Sequence, residues 1–251
     1  MKTKQFLSGL LTLLISINLA AQAEGLLLPE EQSREKVFHY DAHSFSYNYS
    51  YMQPSWVVYW VKSSQYETNE HISPKFVTDP NVGSRTADLK DYKKSGYVIG
   101  QYMSSNDVAK NEKALQESMY LTNGTAMKQA FYKYIWFKLE QTTRAWAKEG
   151  DLMVITGGIL KDAPFPTIGK NKVSVINRFY KIIYNPETVE AVAFVFKNGS
   201  SSGSLKGYAK SVAKLEELSG IKFFASLPEA EQAKIKSKVN LDAWNWEILE
   251  E

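Results

Sequence analysis

Glu140 and Arg144 stand four residues apart in a run with helical spacing, so they share one helix face. From spacing alone they read as a helical ion pair or a bridge at the edge of the core. Arg85, Lys90, Lys93 and Lys94 cluster with Tyr92, Tyr97 and Tyr102 between and beyond them. Ammonium groups interleaved with rings can hold a nucleic-acid backbone, although such a run is more often a solvated face with its aromatics turned inward. His39 and His43 are also four apart, but Phe38-His39-Tyr40 and Ser44-Phe45-Ser46-Tyr47 read as extended chain, which spreads the two rings too far for a metal pair. His71 lies in a polar loop. With no cysteine, thiolate catalysis and thiolate metal sites are excluded.

The elements that must position these groups follow from periodicity. Tyr47-Asn48-Tyr49 and Trp56 to Val61 read as paired strands about a turn at Met52-Gln53-Pro54-Ser55, after a loosely held polar arm over 24–36. Lys75-Phe76-Val77 and Tyr120-Leu121-Thr122 are short extended pieces. Helices are expected over Ser105–Gln116, Ala126–Lys148 (capped by Gly150), Leu205–Leu218 (stopped by Gly220) and Glu229–Val239. Leu152–Thr156 and a hairpin of Tyr180–Tyr184 with Val189–Phe196 complete the strands. Strands and helices without regular alternation predict an α+β fold: a central mixed or antiparallel sheet with flanking helices.

Residues 1–23 carry Lys2 and Lys4, an apolar run from Phe6 to Leu19 and then Ala21-Gln22-Ala23, the form of a leader cut after Ala23. The expected product is exported, to a periplasm or the exterior. Lys2 and Lys4 are the only charges of that leader, so the formal +3 of the whole chain becomes +1. That is not the strongly basic balance of a typical nucleic-acid binder, so any such affinity needs a local patch. No later stretch has the roughly 20 apolar residues of a spanning helix. Residues 24–251 are expected to form one domain.

Asp91-Tyr92-Lys93-Lys94-Ser95-Gly96-Tyr97-Val98-Ile99-Gly100-Gln101 resembles the D-Y-x-x-S-G-Y-D-R-G-H signature of the DNA/RNA non-specific endonucleases. The likeness continues through Tyr47-Asn48, Pro54 to Tyr59, Glu117 to Asn123, Trp136 to Glu140 with Arg144, Val154 to Gly157, Phe179 to Ile183, Phe194 to Asn198 and Leu218 to Phe224. It implies a ββα-metal nuclease-like fold, and an active member would use Mg²⁺ to cut DNA or RNA phosphodiesters. By the same resemblance Gln101 stands at the position of the general-base histidine and Ile99 at that of a phosphate-steadying arginine. Tyr132 stands at the position of the asparagine that ligates Mg²⁺. Glu140 and Arg144 would remain on the phosphate side, and Arg85, Lys93 and Lys94 would serve nucleic-acid binding.

These replacements remove chemistry. A glutamine amide can position water but cannot take its proton near neutral pH, which forfeits roughly 10²–10⁴ in rate. A phenol is a poor ligand for a hard cation, and an isoleucine binds no phosphate. The expected protein is a catalytically degenerate relative that binds nucleic acid or another partner in the old cleft, with no cofactor. The alternatives are an active Mg²⁺-dependent endonuclease with relocated groups and a structural envelope protein.

Overall fold

In the computed structural model, residues 26–65, 75–83, 85–200 and 202–247 are described. Seven antiparallel strands form the main sheet in the order β1 (Lys36–His39), β2 (His43–Asn48), β3 (Gln53–Val61), β6 (Leu152–Gly158), β9 (Arg178–Asn185), β10 (Glu190–Lys197) and β11 (Ala209–Lys210). The central strands are apolar at nearly every position because both faces are covered. Alternation along the chain sends Val57, Tyr59, Val154, Phe179 and Ile183 to one core, and Trp56, Val58, Ile155, Tyr180 and Ile182 to the other.

On the first face sit the hairpin of β4 (Val98–Gln101) and β5 (Gly124–Met127) and the helix α3 (Phe137–Ala147), which one turn of π-helix over Phe131–Trp136 precedes. Phe131, Trp136, Phe179 and Phe196 lock this unit to the sheet through ring contacts of 5.7–6.3 Å. Trp244 and Trp246 close over Trp146. The second face is covered by α5 (Val212–Ser219) and α6 (Glu229–Ser237). A smaller cluster gathers around α1 (Leu89–Tyr92), β7 (Thr167–Ile168) and β8 (Val173–Ser174).

Several expectations give way locally. The strand expected from Trp56 already begins at Gln53, because the turn lies earlier, over 49–52, with Met52 at φ 52°. Ala126 and Met127 belong to β5, paired with Ile99 and Val98, and are not the start of a helix. The helix expected over Ser105–Gln116 splits into a 3₁₀ turn at Ser105–Val108 and α2 (Glu112–Ser118), because the Asn111 side chain accepts from the Ala114 amide and caps a new start. Leu121–Asn123 is a 3₁₀ turn; Tyr120 alone bridges to Val77. The helix expected over Leu205–Leu218 is interrupted after α4 (Leu205–Tyr208) by β11, and Ser211 caps α5. The arm is held from Leu26 onward: Leu26, Leu27 and Leu28 pack on the second core, and Glu35 accepts from Ser46, Asn48 and Ser55. The leader and His71 lie outside the described residues.

Candidate functional site

β4 runs beneath the start of α3, and the Trp136 indole donates to the Gln101 carbonyl at 3.1 Å. Gly100 permits the close packing, since a Cβ there would stand 2.2 Å from Met127 Sδ. The Gln101 side chain is 3% exposed and its amide is spoken for at both ends. Nε2 donates to the Ser118 carbonyl at 2.9 Å, while Oε1 accepts from the Ser105 amide at 3.3 Å and its hydroxyl at 3.1 Å. Asn123 completes the network by donating to Ser118 O and Met103 O, both at 2.8 Å. Gln101 therefore stitches β4 to the ends of two helical segments. A water needing orientation would have to compete with these bonds.

Ile99, on the same face of β4, is half-buried against the smaller cluster, whose members include Leu121 and Ala126. Tyr132 occupies the π turn, half-buried against the first core, and its hydroxyl is pushed up to about 12, first by burial. It stays a neutral phenol at any physiological pH.

Behind them lies a buried charge cluster. Glu140 is 4% exposed; burial raises its carboxyl to about 7, while the cationic Lys181 and Arg144 pull it down. Among the described residues its Oε1 has no hydrogen-bond partner. Lys181, in the middle of β9, is 1% exposed, and burial lowers its ammonium. That ammonium donates to Tyr59 Oη at 3.3 Å and to the Tyr102 carbonyl at 3.4 Å, and lies 4.5 Å above the Trp136 ring. Arg144 forms an ion pair with buried Asp107 at 3.0 Å. So Arg144, four residues from Glu140, also reaches across to the Ser105–Val108 turn.

These donors do not suit Mg²⁺. A hard dication takes about six oxygens, and here Asp107 is already paired with Arg144 and Glu140 lies under the influence of Lys181 and Arg144, beside a neutral phenol and an amide already bonded. Among the described residues no three His, Asp, Glu or Cys side chains converge as a metal group. His39 bonds Ser44 from β1, and His43 sits in β2 between Tyr40 and Phe45, so the two lie on different strands and not along one.

A second feature is basic. Arg85, Lys93 and Lys94 are exposed, and Arg85 reaches the Tyr49 carbonyl at 3.4 Å. Asp91 accepts from the Asn171 amide at 3.0 Å and from its side chain at 2.8 Å, pinning the loop between β7 and β8 to α1. This brings exposed Lys170 and Lys172 to the side of Lys90, Lys93 and Lys94.

A family model described as DNA/RNA non-specific endonuclease matches residues 29–230, which is most of the chain. The chain belongs to this family. A zebrafish (Danio rerio) mitochondrial nuclease EXOG is 30% identical over 80% of this chain and 63% of its own length. The human EXOG is 26% identical over 75% of this chain and 56% of its own length. The chain thus spans a little over half the length of these relatives. A crystal structure of the EndoG/EndoGI complex contains a chain of the same fold, with a TM-score of 0.70 at 21% identity, covering 78% of this chain and 88% of that one.

Set in that family fold, Gln101, Ile99, Tyr132, Glu140 and Arg144 gather around the β4–β5 hairpin and α3, whereas Arg85, Lys93 and Lys94 belong to the α1 surface. Sequence reasoning missed Lys181, Asp107, Lys170 and Lys172. Lys181 had a signal, a lone cation inside the apolar run Phe179 to Ile183. Lys170 had none, because it reaches the patch through tertiary packing, by the Asp91–Asn171 bonds and the close approach of Gly169 to Asp91.

Proposed function

We propose that this member of the endonuclease family holds nucleic acid without hydrolysing it, its former cutting centre having become structure. The observation that carries this reading is the Gln101 amide, buried and bonded at both ends, where a proton acceptor facing water would be needed. Binding falls to the surface of Arg85, Lys90, Lys93, Lys94, Lys170 and Lys172, whose charges supply the local patch that the near-neutral chain otherwise lacks. No resident metal is assigned.

A plasmid-digestion assay with Mg²⁺ or Mn²⁺ tests the first half: no nicking is expected. The variant Ile99→Arg, Gln101→His, Tyr132→Asn is expected to regain weak cutting. For the second half, DNA affinity should fall with salt, and Lys93→Ala with Lys170→Ala should reduce the slope of log K against log salt by about 2. A flat response in the parent protein would remove nucleic acid as the ligand.

One observation favours a second reading, an active Mg²⁺-dependent endonuclease with Glu140 as base. A carboxyl raised to about 7, with one oxygen unbonded among the described residues, is suited to accept a proton. Metal-dependent nicking that disappears in Glu140→Gln would establish that reading and defeat the first. Export after cleavage at Ala23 is also proposed on the leader's composition, and the N-terminal sequence of the mature protein tests it.

A further inference from the structure

The segment from Lys128 to Leu139 carries Lys128, Lys133 and Lys138 and no acidic residue. All three lysines are exposed, as are Tyr134 at 54% and Phe137 at 39%, two of the few large hydrophobic side chains so exposed among the described residues. Lys133, Tyr134, Phe137 and Lys138 lie on the outward side of the π turn and α3, opposite buried Phe131, Ile135, Trp136 and Leu139, and Lys128 precedes them just after β5. Neighbouring side chains extend the surface. Lys138 lines a cavity of about 230 Å³ together with Thr142, Ser204, Lys206, Trp246 and Glu247. Among the described residues none of Lys128, Lys133, Lys138 and Lys206 is in an ion pair.

Four ammonium groups outside ion pairs, with one carboxylate, Glu247, at the cavity end, stand beside exposed Tyr134 and Phe137, and are matched by a partner bearing carboxylates and apolar side chains. The ring geometry chooses between the two polyanions that meet this description. A single-stranded nucleic acid needs free aromatic faces on which its bases can stack. Here Lys128 lies 4.4 Å over the Tyr97 ring, Lys133 5.4 Å over Tyr134 and Lys206 5.5 Å over Trp246. Each of these rings therefore already carries an ammonium on one face, and what the surface offers is raised positive charge, lysine stems and the open ring of Phe137.

We propose that the outward face of α3, from Lys128 to the cavity beside Trp246, docks an acidic polypeptide segment carrying apolar side chains. This is a second surface, independent of nucleic-acid binding at α1. Its carboxylates meet Lys128, Lys133, Lys138 and Lys206, and its apolar side chains cover Tyr134 and Phe137. The cavity is of a size to take one side chain.

The test measures binding of a fluorescent peptide alternating glutamate with leucine and phenylalanine, against an oligothymidylate of equal charge. The parent protein is expected to bind the peptide through Lys133 and Lys138, and to bind the oligothymidylate, if at all, without them. Lys133→Glu with Lys138→Glu should weaken it at least about tenfold, and Phe137→Ser should weaken it with no change of charge. Lys148→Glu with Lys238→Glu makes the same charge change elsewhere and should leave the affinity as it was. The altered positions are all exposed, and unchanged melting checks that each variant folds; Lys133→Gln with Lys138→Gln replaces a charge-reversed variant that does not. Equal weakening by both charge reversals, no effect of Phe137→Ser, or preference for the oligothymidylate through Lys133 and Lys138 would each overturn the proposal.

Discussion

His43 and Glu140 are buried titratable groups that drive stability in opposite directions as pH changes. Burial lowers His43 to about 3 from an ordinary 6.5, so the folded chain refuses a proton that the unfolded chain accepts. Its contribution is fully present above 6.5 and is lost as pH falls toward 3. Burial raises Glu140 from 4.5 to about 7, so the folded chain keeps a proton that the unfolded chain has released. Its contribution falls as pH rises from 4.5 to 7. From these two groups, stability should be nearly flat between 4.5 and 6.5, where the slopes cancel. Urea melts across that window should show stability falling with pH in His43→Phe and rising with pH in Glu140→Gln, by on the order of 2–3 kcal/mol in each case. Slope is the informative quantity, because Glu140→Gln also changes the surroundings of Lys181 and Arg144. Gln101→Ala should cost about 1–3 kcal/mol in the same melts, since it removes a bond from Ser118 O and two from Ser105.

At the scale of elements, the Asp91–Asn171 bonds join two lysine-bearing segments, so Asn171→Ala should weaken DNA binding without removing any charge. A binding isotherm compared with that of Lys170→Ala checks this, and equal affinity to the parent would show that the backbone bond from the residue 171 amide to Asp91 holds the loop without the side-chain bond. Which elements exist was readable wherever an apolar run had one period, as in β3, β6 and β9. Boundaries were lost where two patterns met. Ala126 and Met127 continue the apolar sequence of the helix that follows, and only pairing with Ile99 and Val98 makes them a strand. Gly207 and the Ser211 cap mark the break before α5, yet the surrounding residues fit a helix throughout. At the site, Gln101 and Tyr132 were found by their places in a signature. That the amide is fully bonded was not legible, because its partners Ser105 and Ser118 are set by the packing of separate segments. Lys181 and Glu140 meet only when β9 and α3 are laid face to face.

For the whole molecule, one sheet supplies both cores, so neither can loosen without exposing the other's wall. Ile155→Ala removes volume from the second core and Ile183→Ala from the first. Each should lower stability by about 2–5 kcal/mol, and calorimetry should show a single transition shifting in both variants. Two separate transitions would mean that the faces melt apart. The described chain also enters and leaves on opposite sides of this wall. Leu26, Leu27 and Leu28 lie along the face of α5 and α6, with Glu30 bonded to the Lys222 carbonyl at 2.9 Å, whereas Trp244 and Trp246 lie on the α3 side. A molecule gripped at 26 and 247 and stretched would be loaded through its thickness. Such a pull should first strip off the leucine strap and the tryptophan clasp, as short early extensions, before the strands between them yield together.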